Sequence, residues 1–296
     1  MAATTSDHGI LVAVDGSPAA RVATDWAARE AVLHRLPLQV VHVVESPAVR
    51  MWPEMAMPAA VTESLRRRGH EYLSAAVETA QRATGGEDLA ITTELLTAAV
   101  QPTLIDLSGE ARMIVVGCRG LGSIGRRLLG SVSWTLLHHA KCPVAVIHDE
   151  DPLMSEPVSK APVVVGIDGS LASEAATAIA FDEASRRGVD LVAVHAWSDM
   201  SYYELPGCEA AALLREAEET LGERLAGWQE QYPDVRIERV LVMDRPAHQL
   251  LEQSDRAQLT VLGSHGRGGF AGMLLGSVSS TVAESTRMPV LVVRPS

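Results

Sequence analysis

Val12-Ala13-Val14-Asp15-Gly16-Ser17 returns, 153 residues further along, as Val165-Gly166-Ile167-Asp168-Gly169-Ser170. Each copy is a short apolar run rich in β-branched side chains, which reads as a buried strand. The Asp-Gly-Ser that closes it reads as a turn into a helix, with Ser17 as the cap and Pro18 in the first helical turn. A second pair lies downstream. Leu128-Leu129-Gly130-Ser131-Val132-Ser133 recurs letter for letter as Leu274 to Ser279, and Cys142-Pro143-Val144 answers to Met288-Pro289-Val290, both at a spacing of 146 residues. Two different spacings mean a duplicated unit that has lost about seven residues mid-way in its second copy. Two long units, and not many short ones, exclude a solenoid.

Working outward, each unit alternates strand and helix. In the first, strands are expected at Gly9 to Val14, Leu38 to Val44, Leu89 to Leu95, Met113 to Gly117 and Val144 to His148. Helices are expected after Ser17, around Ala59 to Ala83, from about Pro102, and over Gly130 to Ala140. In the second, strands are expected at Val163 to Ile167, Leu191 to Ala196, Val235 to Val242, Leu259 to Gly263 and Val290 to Val293. Near-continuous apolar strands alternating with helices imply an α/β fold, with a five-stranded parallel sheet covered on both faces in each unit. Right-handed crossovers make each sheet doubly wound. The acidic, proline-spaced stretch from Asp149 reads as a linker. The expected organisation is a first domain at 1–148, a linker at 149–161 and a second domain at 162–296.

Composition narrows the function classes. A net charge of −12 argues against nucleic acid or anionic lipid as a partner. No apolar run reaches the length of a membrane span, and Met1 to Gly9 has no apolar signal-like core. Cys118, Cys142 and Cys208 are too few and too scattered for a disulfide framework or a zinc site. These features point to a cytoplasmic setting. Aromatic residues make up only 4% of the chain, so its cores must be built from Val, Leu, Ile and Ala.

Against that acidic background, two loops stand out. After the fourth strand of each unit comes the same spacing, Gly-x2-Gly-x9-Gly-Ser: Gly117, Gly120, Gly130-Ser131 and Gly263, Gly266, Gly276-Ser277. Residues 117–133 hold Arg119, Arg126 and Arg127 and no acid; residues 263–279 hold His265 and Arg267 and no acid. Glycines allow close backbone approach to a ligand, and a helix starting at Ser131 or Ser277 offers free N–H groups and a positive dipole end. The physical reading is a phosphate cradle. No Gly-Lys-Ser/Thr follows the glycines, so this is not a Walker A loop, and the dinucleotide fingerprint belongs after the first strand, not the fourth. In a doubly wound sheet strands one and four are neighbours, which places Asp15 beside Gly117 and Asp168 beside Gly263. A carboxylate there can accept ribose hydroxyls or hold Mg²⁺ against phosphates.

With these motifs in view, the chain resembles the universal stress protein family in its tandem, ATP-binding form. The resemblance rests on Asp15 and Asp168, on the two glycine loops, and on the closing strands from Cys142 and Met288. It implies two Rossmann-like, adenine nucleotide alpha hydrolase-like domains, each binding one ATP, hence two per chain, with Mg²⁺. Ala13 and Val14, and Gly166 and Ile167, would meet the adenine; Asp15 and Asp168 would face ribose or metal. Gly117, Cys118, Arg119, Gly120, Leu121, Gly122, Ser123, Arg127, Gly130, Ser131, Val132 and Ser133 would wrap the first set of phosphates. Gly263, Ser264, His265, Gly266, Arg267, Gly268, Gly269, Gly276, Ser277, Val278 and Ser279 would wrap the second. The family also implies a homodimer and a role in stress, dormancy or growth control.

Other residues carry weaker expectations. Asp199 is a candidate ribose acid, against a solvated loop carboxylate, with Glu45 as its approximate counterpart. His42 and His195 match between units and read as packed strand residues near the ligand end. Cys118 reads as a spacer, with a redox role as the alternative. Met51, Trp52, Met55 and Met57, and Tyr202, Tyr203 and Leu205, either cover the nucleotides or pack on their own sheet. The apolar strands Val144 to Ile147 and Val290 to Val293 are expected to pair edge to edge, between units or between chains. No catalytic triad or acid pair follows from spacing. A nucleotide-dependent regulator is therefore the first reading, and a slow ATPase or phosphotransferase using the same sites is the alternative.

Overall fold

Strands that are apolar on both faces need cover on both faces, and the helices supply it. The computed structural model describes residues 9–45, 59–120, 129–148, 160–196, 207–242, 245–266 and 274–295. The chain divides into two compact units, Met1–Ser155 and Glu156–Ser296. Among the described residues no helix is long and apolar enough to cross a membrane.

The first unit runs β1 (Ile10–Ala13), α1 (Pro18–His34), β2 (Leu38–Val44), α2 (Ala59–Ala83), β3 (Ile91–Thr97), α3 (Val100–Leu107), β4 (Met113–Gly117), α4 (Ser131–His139) and β5 (Val144–Ile147). Its sheet is parallel, in the order β3-β2-β1-β4-β5. The second unit runs β6 (Val163–Gly166), α5 (Leu171–Arg187), β7 (Leu191–Ala196), α6 (Gly207–Gln231), β8 (Ile237–Val242), α7 (Pro246–Ser254), β9 (Leu259–Gly263), α8 (Ser277–Ser285) and β10 (Val290–Val293). Its sheet is also parallel, ordered β8-β7-β6-β9-β10. The winding reverses between β1 and β4, and between β6 and β9. Both turns that carry the aspartates therefore open at a topological switch point.

Strand limits differ from the sequence reading where pairing decides them. The third strand is Ile91–Thr97, two residues later than expected, because all seven residues of β2 pair in register from Leu38↔Ile91 to Val44↔Thr97. Val235 stays out of β8 because its N–H closes a turn on the Tyr232 carbonyl.

Packing rests on small residues, as scarce aromatics require. Ala19, Ala20, Ala23, Ala27, Ala28 and Ala31 form the buried face of α1, and Ala172, Ala176, Ala180 and Ala184 that of α5. These alanines bring helix backbone close to the sheet. A Cβ at Gly117 would lie 2.7 Å from the Ala19 carbonyl carbon, and one at Gly263 2.7 Å from that of Ala172. The first glycine of each loop thus has a packing reason of its own, independent of any ligand.

The two main helices begin alike but end differently. Ser17 Oγ accepts from the Ala20 N–H, and Ser170 Oγ from the Ser173 N–H. At the C-terminal ends the chain turns left-handed, at Gly188 in α5 (φ 63°) but at Arg35 in α1 (φ 55°). An L-residue with a Cβ is disfavoured there and glycine is not. Arg35→Gly is expected to raise the stability of the first unit by about 0.5–1 kcal/mol, measured as a shift in thermal midpoint.

Candidate functional site: the switch-point turns and glycine loops

At the carboxyl ends of β1 and β4 lies a cavity of about 950 Å³. That is near the top of the roughly 300–1,000 Å³ range usual for small-molecule sites. One wall is apolar, from Ala13, Val14, Val41 and Val43. The opposite end is formed by Gly117, Arg119, Gly120 and the start of α4, Gly130 to Ser133. Asp15 lines it too, with its carboxylate against Gly120. The topology thus brings together the aspartate turn and the glycine loop.

The start of α4 is built to bind. Its N-cap is Gly130, in the extended conformation of a cap (φ −64°, ψ 156°) but with no side chain to serve as one. The α8 cap, Gly276 (φ −75°, ψ 153°), is the same. Serine caps α1 and α5, whereas α4 and α8, like α3 after Ala99 and α7 after Arg245, start with no side-chain cap bond. The first-turn N–H groups then carry the positive end of the helix dipole without a side-chain acceptor. In the first unit these residues line the cavity together with Arg119.

Internal hydrogen bonds hold the loops in shape and recur in both units. Ser17 Oγ donates to the Arg119 carbonyl at 3.3 Å, and Ser170 Oγ to the His265 carbonyl at 3.1 Å. The Gly130 N–H donates to the Cys118 carbonyl and the Gly276 N–H to the Ser264 carbonyl, each at 2.7 Å. Ser133 Oγ donates to the Gly117 carbonyl at 2.7 Å, and Ser279 Oγ to the Gly263 carbonyl at 2.6 Å. Cys118 and Ser264 are buried, and their N–H groups are taken by the Ile147 and Val293 carbonyls. These two residues, and the hydroxyls of Ser133 and Ser279, shape the cradle from behind. The buried Cys118 side chain fits the spacer reading. Cys142 is buried too, and desolvation pushes its thiol up to about 12, far from the thiolate form.

Each aspartate splits its duties. Asp15 Oδ1 accepts from the Ser17 N–H at 3.0 Å, and Asp168 Oδ1 from the Ser170 N–H at 2.9 Å, closing the turn. The other oxygen, Oδ2, lies against Gly120 in one unit and Gly266 in the other, where any Cβ would collide with it. Asp15 is therefore both a turn residue and the acceptor at the head of the glycine loop.

His42 and His195 do more than pack. Each places Nδ1 2.6 Å from the last carbonyl before the aspartate, that of Val14 or Ile167. A carbonyl only accepts, so Nδ1 carries the proton and fixes the ring. His42 lines the cavity and meets Tyr72 edge-on, with centroids 5.3 Å apart. Tyr72, Arg68 and Leu65 line it from α2, and Val100 and Leu104 from α3. Sequence reading missed these five. Leu65, Arg68 and Tyr72 do share one face of α2 at helical spacing, but that pattern marks core as readily as site. Glu45 lines the rim. Among the expected site residues, Leu121, Gly122, Ser123, Arg127, Asp199, Arg267, Gly268 and Gly269 lie outside the described residues, as do most of the linker, the Met51 to Met57 segment and Tyr202 to Leu205.

Comparison with known proteins agrees with this architecture. The model of the universal stress protein family matches twice, at residues 8–148 and 161–294. A universal stress protein of Mycobacterium tuberculosis (strain H37Rv) is 52% identical over 297 residues, covering 100% of this chain and 99% of the relative. One from Mycolicibacterium smegmatis is 49% identical and covers 100% of both. Among solved structures, a universal stress protein from Archaeoglobus fulgidus superimposes with a TM-score of 0.70 over 98% of this chain and 97% of its own, at 19% identity, a likeness of fold. With two family matches, full-length relatives near half identity and the same aspartate turn and glycine loop at the switch point of each unit, this chain belongs to the universal stress protein family.

Proposed function

We propose that each unit binds one ATP, two per chain, and that occupancy makes the protein a nucleotide-dependent regulator of stress response, dormancy or growth. The observation that carries this reading is the pair of glycine-capped helix starts, each set at a switch point next to an aspartate. An uncapped helix start favours an anion, and the apolar wall of Ala13, Val14, Val41 and Val43 suits a flat base. An aspartate at the head of an anion-binding loop would repel phosphate through like charge. A divalent cation between them removes that repulsion, so Mg²⁺ fits the donors present, one carboxylate plus ligand phosphates. Asp15 and Asp168 would hold the ion, which supplies counter-charge to the phosphates.

Arg119, with the first-turn N–H groups of α4, binds and orients the phosphate end. Asp15 Oδ2 accepts at the sugar and cation end. His42 fixes the Val14 carbonyl beneath the base. The protein as purified is expected to release about two nucleotides per chain on denaturation, counted by chromatography and mass spectrometry, and ATP titration should weaken when EDTA replaces Mg²⁺. Recovery of ADP would favour turnover. No nucleotide, followed by no binding on titration, removes the reading. Association of chains into a homodimer belongs to the same proposal, and sedimentation showing a single 31.6 kDa species at micromolar concentration would remove it.

A further inference from the structure

The two switch-point turns share a hydrogen-bond plan but differ in the side chain that lies over them. Gly16 and Gly169 stand at the same point of their turns, both with positive φ, 82° and 81°. Over Gly16 lies the ring of Tyr72, through Cδ1, Cε1 and Cζ. Over Gly169 lies the guanidinium of Arg224, through Nη1, Cζ and Nη2. The two residues come from the corresponding helices α2 and α6. In the first unit this position borders the ligand cavity, because Tyr72 lines it. The same place in the second unit therefore carries a cation where the first carries an aromatic wall.

Three further observations concern that cation. Arg224 is exposed, carries five N–H donors, and forms no hydrogen bond or ion pair among the described residues. Its guanidinium rests on the turn that holds Asp168 and is tied by Ser170 Oγ to the glycine loop at His265. At that loop position the first unit has Arg119, and the second has an imidazole in place of the fixed charge. Guanidinium stays protonated and matches phosphate oxygens in a two-pronged fashion, whereas a tyrosine ring offers apolar surface.

We infer that Arg224 is a phosphate-binding residue of the second site, taking the part of the fixed positive charge that Arg119 plays in the first. The two sites then differ in selectivity. The second discriminates by phosphate charge through a residue on α6; the first carries its charge in the loop and presents Tyr72 instead. This rests on the nucleotide reading above for the identity of the ligand, but not for the anion site itself.

The test uses the full chain with the first cradle closed by Gly130→Asp, and compares Arg224, Arg224→Leu and Arg224→Lys. Leucine keeps the stem and suits an exposed helix position, so the fold is retained. Calorimetric titration with ATP, adenosine and inorganic tripolyphosphate reads the second site alone. Arg224→Leu should weaken ATP and tripolyphosphate by about 10- to 100-fold and flatten their salt dependence, with adenosine unchanged and lysine restoring part of the loss. Unchanged ATP and tripolyphosphate affinity overturns the inference, as does an equal loss for adenosine, which would mark a structural role. Binding of tripolyphosphate that depends on Arg224 without any nucleotide binding would sink the ATP reading and leave the anion site standing. Absence of both would sink the two together.

Discussion

Gly130→Asp is expected to make the ligand-free protein more stable and to abolish nucleotide binding in the first unit. Gly130 already has the backbone of a helix cap, with φ and ψ within about ten degrees of those at Ser17. A Cβ there meets only ordinary contacts, the nearest at 3.5 Å from Arg119 Cα. An aspartate can therefore close the helix start without moving the loop, and its charge suits the dipole. The gain should be about 0.3–1 kcal/mol. The same carboxylate occupies the N–H groups that phosphate needs and repels it, so ATP affinity at that site should fall by about 100-fold or more. Nucleotide recovered per chain should drop from about two to about one while the thermal midpoint of the nucleotide-stripped protein rises. A rise in midpoint with both nucleotides retained would show that α4 does not hold phosphate. The opposed signs matter, because a variant that merely damages the fold lowers both readings.

Phe181→Ala should have the largest effect on stability, confined to the second unit. Phe181 is fully buried on α5 and stacks against Trp228 and Tyr232 of α6 and its following turn, with centroids 6.0 and 5.7 Å apart. It is the largest fully buried side chain among the described residues. Its truncation removes ring contacts from both partners and leaves a cavity, at a cost of about 3–5 kcal/mol. For a unit of this size that is a fall of roughly 10–20 °C in its unfolding midpoint. Scanning calorimetry should show one transition moving and a second staying. A single small shift of the whole profile would mean that the cluster relaxes around the loss.

Why some of this could be read from letters alone is a matter of what sets each feature. Backbone periodicity and turn chemistry are local, so strands such as Leu38–Val44 and Leu259–Gly263 were found to the residue. The aspartate turns and glycine loops are local too, and the switch-point rule brought them together without knowledge of any side chain. The limits of β3 depended on its partner, and nothing within Leu89 to Thr97 shows where β2 begins. The α2 wall was hidden for the same reason. Leu65, Arg68 and Tyr72 form a stripe that any packed helix would show, and only the fold says that Tyr72 lies over Gly16. Gly117 illustrates a reason that sequence cannot separate: its lack of a Cβ serves the approach of α1 as much as the approach of a ligand.

The serine that caps α1 has a wider consequence for how these units tolerate change. Its hydroxyl accepts from the Ala20 N–H and donates to the Arg119 carbonyl, and Ser170 does the same between the Ser173 N–H and the His265 carbonyl. On the scale of isolated helices aspartate is as good a cap as serine. An ionised carboxylate cannot donate, so it would satisfy the helix and release the loop. Mutational tolerance at residues 17 and 170 is thus set by two neighbours at once, and is narrower than either would impose alone. A duplicated gene could drift freely at the wall, as Tyr72 and Arg224 have, while each copy kept the one small side chain able to face both ways.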